Sequence, residues 1–318
     1  MQPSSSDSVL LSAEGLSVEV AIIGAELRSI RDAEAREWLW QGDAASWPAR
    51  APILFPVVGR CAGGELRHRG RSYPAEQAHG FARHRRFLLT SLEEKSCCLT
   101  LVSDDQTRAL YPFDFQLDVR FAVKRHGIWQ TATITNTGVE TMAASFGFHP
   151  GFQWPLPSAG AALQETHEII FAHAEAAPIR RLTDNLLADR GYPTPVQGDR
   201  LPLSPELFGA GSVIFDRLSS RSLWFGAPDT LGLAMEFPDC PNLGLWMIPG
   251  ASFLCIEPWQ GYPCPADFRG DILEKPGMIH LLAGESFSRT MGMSTGVARR
   301  DYIARRATGA PQTPTSAR

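Results

Sequence analysis

Phe115-Gln116-Leu117-Asp118-Val119-Arg120-Phe121-Ala122-Val123 alternates apolar and polar side chains one by one, which is the two-residue period of a strand with one buried face. After His126-Gly127 comes Ile128-Trp129-Gln130-Thr131-Ala132-Thr133-Ile134-Thr135-Asn136, rich in β-branched residues. Two such runs joined by a glycine-bearing turn predict an antiparallel hairpin. Outward from it the same texture recurs. Residues 16–23 form a strand-like run ending at Gly24, and Trp38-Leu39-Trp40 ends at Gln41-Gly42. Ser212-Val213-Ile214-Phe215 and Ser222-Leu223-Trp224-Phe225 flank an expected turn, and residues 231–237 and 243–248 continue the pattern. Helical windows are few and short, over 183–189 and 267–274. No strand–helix alternation supports a doubly wound sheet.

Composition agrees. The chain has 318 residues with 28 glycines and 24 prolines, about one residue in six against roughly one in eight on average. That surplus favours many turns over long helices. Hydrophobic residues at 44% and charged residues at 20% suffice for a sizeable core. A net charge of −4 gives no reason to expect nucleic acid or an anionic membrane as partner. Nearly all positive charge is arginine, since lysine occurs only at 95, 124 and 275. Six cysteines form no C-x-x-C pair, which predicts reduced thiols in a cytoplasmic protein. The N-terminus has neither the basic nor the apolar segment of a signal peptide, and no apolar run is long enough to span a membrane. Residues 1–8 and the basic, proline-containing stretch from Ala298 to Arg318 are expected to be mobile, leaving 9–297 as one large domain.

Several familiar motifs fail on inspection. Ala143-Ala144-Ser145-Phe146-Gly147 resembles a nucleophile elbow, but His149-Pro150-Gly151 and Trp154-Pro155 follow where a helix must begin. Gly209-Ala210-Gly211 lacks the third glycine of a dinucleotide loop. His167-Glu168 has Phe171 in place of the second histidine of a zinc helix; instead His167, Ile169, Phe171 and His173 share one face of an expected strand.

Four dense segments remain: Pro52-Ile53-Leu54-Phe55-Pro56-Val57-Val58-Gly59-Arg60, Gln77-Ala78-His79-Gly80-Phe81-Ala82-Arg83, Gly147-Phe148-His149-Pro150-Gly151-Phe152 and Cys255-Ile256-Glu257-Pro258-Trp259. Each couples a potentially catalytic side chain to glycine, proline and aromatic neighbours, where an apolar strand runs out into a turn. Taken singly, each has an ordinary structural explanation: a surface ion pair for Arg60, a hydrogen-bonded core histidine for His79 or His149, a turn cap for Glu257. Their joint occurrence is what points to a site.

In this order and spacing the segments resemble the aldose 1-epimerase (galactose mutarotase-like) superfamily, closest to its LacX-like branch. The resemblance runs over about residues 16 to 293, from Gly24-Ala25-Glu26-Leu27 to Lys275-Pro276-Gly277 and Gly284-Glu285-Ser286-Phe287. It implies an all-β fold, a single large antiparallel β supersandwich with few short helices. It also implies interconversion of α and β anomers. That reaction opens a cyclic hemiacetal, rotates the C1–C2 bond and recloses on the other face. Opening requires a base at the anomeric hydroxyl and an acid at the ring oxygen, and a carboxylate and an imidazole on opposite sides of the sugar can fill both roles. By resemblance, Glu257 is the general base and His149 the general acid, while Arg60 and His79 bind and polarise sugar oxygens. No metal or organic cofactor is needed.

Flat rings suit the C–H faces of a pyranose. Trp259, Phe81, Phe152 and Trp154 are the candidates by proximity, and Asp216 is a further possible hydroxyl ligand. Typical galactose mutarotases carry an asparagine shortly after the Gly-Arg, a second glycine after the first histidine and an aromatic residue after His-Pro. This chain has Gly59-Arg60-Cys61-Ala62, His79-Gly80-Phe81 and His149-Pro150-Gly151, which leaves the sugar open. The basic clusters Arg67-His68-Arg69-Gly70-Arg71 and Arg83-His84-Arg85-Arg86 raise a sugar phosphate as an alternative to a plain monosaccharide, since arginines hold phosphate by paired hydrogen bonds. A second class of function, a carbohydrate-binding or sensing protein without turnover, uses the same residues.

Overall fold

The protein is described by a computed structural model over residues 7–13, 15–124 and 127–308. The hairpin that decides the fold forms as the alternation dictates. Phe115–Lys124 pairs antiparallel with Gly127–Asn136, from Phe115 opposite Asn136 to Lys124 opposite Gly127; Arg125 and His126 lie outside the described residues. Phe115, Leu117, Val119, Phe121 and Val123 are all buried, and their alternate neighbours face outward. Each such side chain contributes about 1.5–3 kcal/mol through burial.

Around this hairpin a nine-stranded sheet grows, in the order Arg200–Pro202, Glu168–Phe171, Ser222–Gly226, Leu231–Glu236, Ser286–Ala298, Gly127–Asn136, Phe115–Lys124, Ser96–Val102 and Leu88–Leu92. A six-stranded sheet contains Val213–Phe215, Asn242–Trp246, Phe253–Gln260, Phe146–Phe148 and Ile53–Leu54, with Gly151–Gln153 also paired to Phe253–Gln260. Ser8–Ala13, Leu16–Ala21 and Glu26–Asp32 form a third sheet. Inward residues of all three join one buried cluster that draws on residues from Val9 to Met293. The expected all-β architecture of antiparallel sheets with few short helices is what the chain adopts.

Several local expectations are overturned. Residues 183–189 are not helical: Leu182–Thr183 and Leu186–Leu187 form a small hairpin. Its turn residues Asp184 and Asn185 have φ of 51° and 64°, the left-handed conformation that short hairpin turns demand and that Asp and Asn tolerate. Residues 267–274 yield only one 3-10 turn, Ile272–Glu274, closed by a capping box between Asp271 and Glu274. Val213–Phe215 and Ser222–Gly226 do not make a hairpin, because each joins a different large sheet. Trp38-Leu39-Trp40 contributes only an isolated pairing of Leu39 with Phe152.

At the ends, Ser8 opens the first strand and residues 1–6 lie outside the described residues. The stretch after Ala298, expected to be mobile, folds as a helix over Arg299–Thr308. Tyr302 is its anchor, packed with Ile170, Trp224, Ala234 and Val297 on the outer face of the large sheet. Arg299 pairs with Glu168 at 3.0 Å and Arg306 with Asp199 at 2.5 Å. A single aromatic in a basic run carries too little apolar pattern to signal a docked helix; residues 309–318 lie outside the described residues. Among the described residues no helix is long and apolar enough to cross a membrane.

Candidate active site

The site is assembled by strand register. Gly147 pairs with Trp259, and Gly151 pairs with Cys255. Continuing that register across the gap puts His149 opposite Glu257. The ladder is interrupted there because Pro150 has no N–H to give, though its carbonyl accepts from Ile256 N–H at 3.1 Å. The two side chains meet: His149 Nε2 lies 3.2 Å from Glu257 Oε2. His149 is 6% and Glu257 2% exposed. This geometry corrects the expectation that the acid and base flank a sugar from opposite sides, because 3.2 Å leaves no room for a ring between them. They form one contiguous surface instead.

Burial dominates their electrostatics. It pushes the Glu257 carboxyl well above its ordinary range, against the opposing pull of the nearby Trp259 N–H. It lowers His149 to about 3, helped by the positive charge of Arg83. Both shifts have the same origin, the cost of holding charge away from water. Three polar atoms here lack a well-aligned hydrogen-bond partner among the described residues: Glu257 Oε2, His149 Nδ1 and Trp259 Nε1. Buried polar atoms are normally satisfied, and these three belong to residues that line the same cleft.

His79 closes one side. It adopts φ of 70°, its Nδ1 accepts Gly59 N–H at 3.1 Å, and its ring stands edge-on to His149 at 5.3 Å. Burial, then the neighbouring His149, Arg83 and Arg60, hold it well below the usual histidine range. With Nδ1 accepting, the neutral ring carries its proton on Nε2. Gly80 makes this turn possible: at φ 67° a Cβ would sit 2.2 Å from the Phe55 carbonyl oxygen.

Arg60, His79, Arg83, His149, Glu257 and Trp259 line a cleft of about 220 Å³. Trp259 lies on the same strand face as Glu257, two residues on. Two roomier hollows exist, but Glu76 and His84 in one are exposed, and the other, beside Leu231 and Ala298, has no histidine or buried carboxylate. The cleft also contains residues the sequence did not mark. Trp47 stacks on the His149 ring at 5.1 Å and 29°, and Trp246 meets it edge-on at 5.9 Å. Trp47 comes from the loop just before the Pro52–Arg60 segment and lies in none of the four segments; its one trace in the sequence is the missing side chain at Gly151, where a Cβ would come within 2.6 Å of the Trp47 ring. Asn185 and Ser212 reach the cleft from the small hairpin and the adjoining strand.

Other expectations are not met. Asp216 is not among the cleft-lining residues; it is ion-paired with Arg180 at 3.1 Å. Its strand-end position suited a structural ion pair as well as a ligand. Phe152 and Trp154 are fully buried core, and Phe81 packs on Phe55 and Phe115. The basic clusters are largely consumed by surface contacts: Arg67 with Glu65, Arg69 with Glu140, Arg86 with Asp7, and Arg85 with Gln106. Arg83 alone of these reaches the cleft. His167 is structural, since its Nε2 accepts Leu156 N–H at 3.2 Å.

The fold matches solved galactose mutarotase-like proteins. A galactose mutarotase related enzyme from Lactobacillus acidophilus superposes with a TM-score of 0.83 at 28% identity, covering 91% of this chain and 97% of that one. A galactose mutarotase-like protein from Lactobacillus casei gives 0.83 at 25% identity, covering 91% and 99%. Residues 7–280 match the family model for aldose 1-epimerase. The LacX protein of Lactococcus lactis subsp. lactis is 31% identical over 280 residues, 85% of this chain and 93% of its own. The chain belongs to the aldose 1-epimerase family.

Proposed function

We propose that the protein is an isomerase that interconverts the α and β anomers of an aldose by general acid–base ring opening in the His149–Glu257 cleft. The observation that carries this reading is the buried 3.2 Å contact between Nε2 and Oε2. The anomeric and ring oxygens are bonded to the same carbon, so a contiguous acid–base pair reaches both at once. Opening needs one proton taken from the anomeric hydroxyl and one delivered to the ring oxygen, and a pair that shares a single proton does both.

In the free cleft that proton rests on Glu257, as the opposite shifts of the two groups require. Sugar hydroxyls that donate to the carboxylate stabilise its charged form and move the proton to His149. Glu257 is then the base at the anomeric hydroxyl and His149 the acid at the ring oxygen, with roles exchanged on reclosure. His79 Nε2–H and Arg60 hold sugar oxygens, and Trp259 and Trp47 offer flat surfaces to the ring. All of this chemistry is supplied by side chains.

Arg60 and Arg83 both line the cleft, and neither has a carboxylate within 4 Å among the described residues. Two cations without a carboxylate favour a sugar carrying an anionic substituent, a hexose phosphate before a neutral hexose. The free cysteines fit a reducing, cytoplasmic setting. Polarimetry on fresh α-glucose, α-galactose and their 6-phosphates tests the reading. Acceleration supports it; sugar binding by calorimetry with unchanged mutarotation would instead identify a non-catalytic sugar-binding protein.

A further inference from the structure

The strand that carries the proposed base has a third functional group on the same face. Cys255, Glu257 and Trp259 alternate inward along Phe253–Gln260. Cys255 is fully buried and its strand register places it opposite Gly151, two residues from His149. One donor atom each from His149, Cys255 and Glu257 can be chosen so that all three lie within 4.8 Å of one another. The reaction proposed above gives the thiol no task.

We propose that His149, Cys255 and Glu257 form a binding site for a borderline-soft divalent cation of the zinc class, which competes with sugar for the acid–base pair. Nitrogen, sulfur and carboxylate oxygen are the donor set of such ions, and three protein ligands with one open position is the arrangement of an accessible zinc site. Metal–ligand distances of about 2.0–2.3 Å at tetrahedral angles place donors about 3.3–3.6 Å apart. The Nε2–Oε2 separation of 3.2 Å is close to that value, and the Cys255 sulfur lies within 4.8 Å of a donor atom of each. A second feature points the same way: Glu257 Oε2 is buried and, beyond its 3.2 Å contact with His149, has no well-aligned hydrogen-bond donor among the described residues. His149 and Glu257 also line the cleft, from which water or a sugar hydroxyl would complete the shell.

Without metal, burial keeps the Cys255 thiol protonated. As the S–metal and O–metal bonds form, the thiol proton and the proton held by Glu257 both pass to solvent, because the cation's charge reverses the local balance. A cation bound there occupies the lone pairs that ring opening needs, so it inhibits. Binding does not depend on the proposed reaction; only the inhibition rests on it.

The test uses the full chain, stripped with chelator, and its Cys255→Ser variant, titrated with Co²⁺ and then Zn²⁺. Wild type is expected to bind one Co²⁺ with a thiolate-to-cobalt charge-transfer band that Zn²⁺ bleaches. Cys255→Ser is expected to lose the band and bind Zn²⁺ at least about tenfold more weakly. Its metal-free mutarotation stays at the wild-type rate and resists Zn²⁺. Should serine unfold this dry position, His149→Gln must abolish the one-equivalent binding instead. Absence of Co²⁺ binding, or a band of unchanged intensity in Cys255→Ser arising from another thiol such as Cys98, overturns the proposal. Because the band is read without substrate, it stands or falls separately from the mutarotase reading.

Discussion

His149 stands opposite Glu257 in the antiparallel pairing of Gly151–Gln153 and Phe146–Phe148 with Phe253–Gln260, and their side chains touch at 3.2 Å. Two residues more than a hundred positions apart are thereby locked together by backbone register, not by a flexible loop. Rigid support of this kind holds an acid and a base in place without reorganisation at each turnover. It also joins their titrations, so the cleft behaves as a one-proton unit.

The pH–rate profile follows from that unit. His149 is lowered to about 3 and Glu257 is raised well above 4.5. Between those limits the pair keeps its one proton. Activity is therefore expected to persist well below pH 6.5, to fall in acid only when a second proton is added, and to fall in alkali when the shared proton leaves. Rates corrected for uncatalysed mutarotation check this; a half-maximal point near pH 6.5 on the acid side would contradict it.

Trp47 is a positioning residue for the His149 ring. Aromatic contacts of this type are worth about 0.5–1.5 kcal/mol, so Trp47→Ala should lower kcat roughly two- to tenfold and broaden the acid limb as His149 gains water. Gly151→Ala should act in the same direction with Trp47 left in place, because the new methyl would lie 2.6 Å from the indole and displace it. Steady-state kinetics on both variants, with circular dichroism to verify folding, read the effect. Wild-type kcat and an unshifted profile in both would remove Trp47 from the account.

Arg83 tests the charge of the substrate. Hydrogen bonds to a charged group are worth about 1.5–3 kcal/mol. Arg83→Gln should accordingly raise KM for a hexose 6-phosphate about 10- to 100-fold while changing KM for the neutral hexose less than about threefold. An equal change for both sugars would mean that Arg83 shapes the cleft and does not read an anion.

Glu236 makes a prediction about stability, away from the cleft. Burial beneath the C-terminal helix raises it to about 7, outweighing the attraction of Arg305 and Lys124. A carboxyl whose folded value exceeds its unfolded value of 4.5 binds more protons when folded, so stability falls as pH rises between those limits. Glu236→Gln should flatten this window and raise the thermal midpoint above pH 7. A midpoint that drops at pH 8 would show that the Arg305 and Lys124 interactions outweigh the burial cost.

The fold was legible in residues 115–136, because a half-buried strand writes its period directly into the order of side chains. His79, His149, Glu257, Arg60 and Trp259 were legible because each sits in a dense, turn-forming segment. Trp47, Trp246 and Asn185 were not singled out for the cleft. Trp47 arrives from the third dimension, and only the absence of a side chain at Gly151 hints at it. Asp216 misled because an acidic residue at a strand end looks alike whether it meets a ligand or Arg180. The docked helix Arg299–Thr308 was hidden for the opposite reason: one buried tyrosine in a run of arginines carries no apolar period. Side-by-side placement of acid and base emerges only from register, which no local pattern encodes.

The most direct measurement is exchange NMR of anomer interconversion on a panel of aldoses and their 6-phosphates, with wild type and Glu257→Gln compared at equal concentration. The expected result is clear acceleration of at least one sugar by wild type and a loss of about 100-fold or more in the variant, the scale of removing a positioned acid or base. No acceleration of any sugar by wild type, or full acceleration retained by Glu257→Gln, would contradict a reaction run by the His149–Glu257 pair.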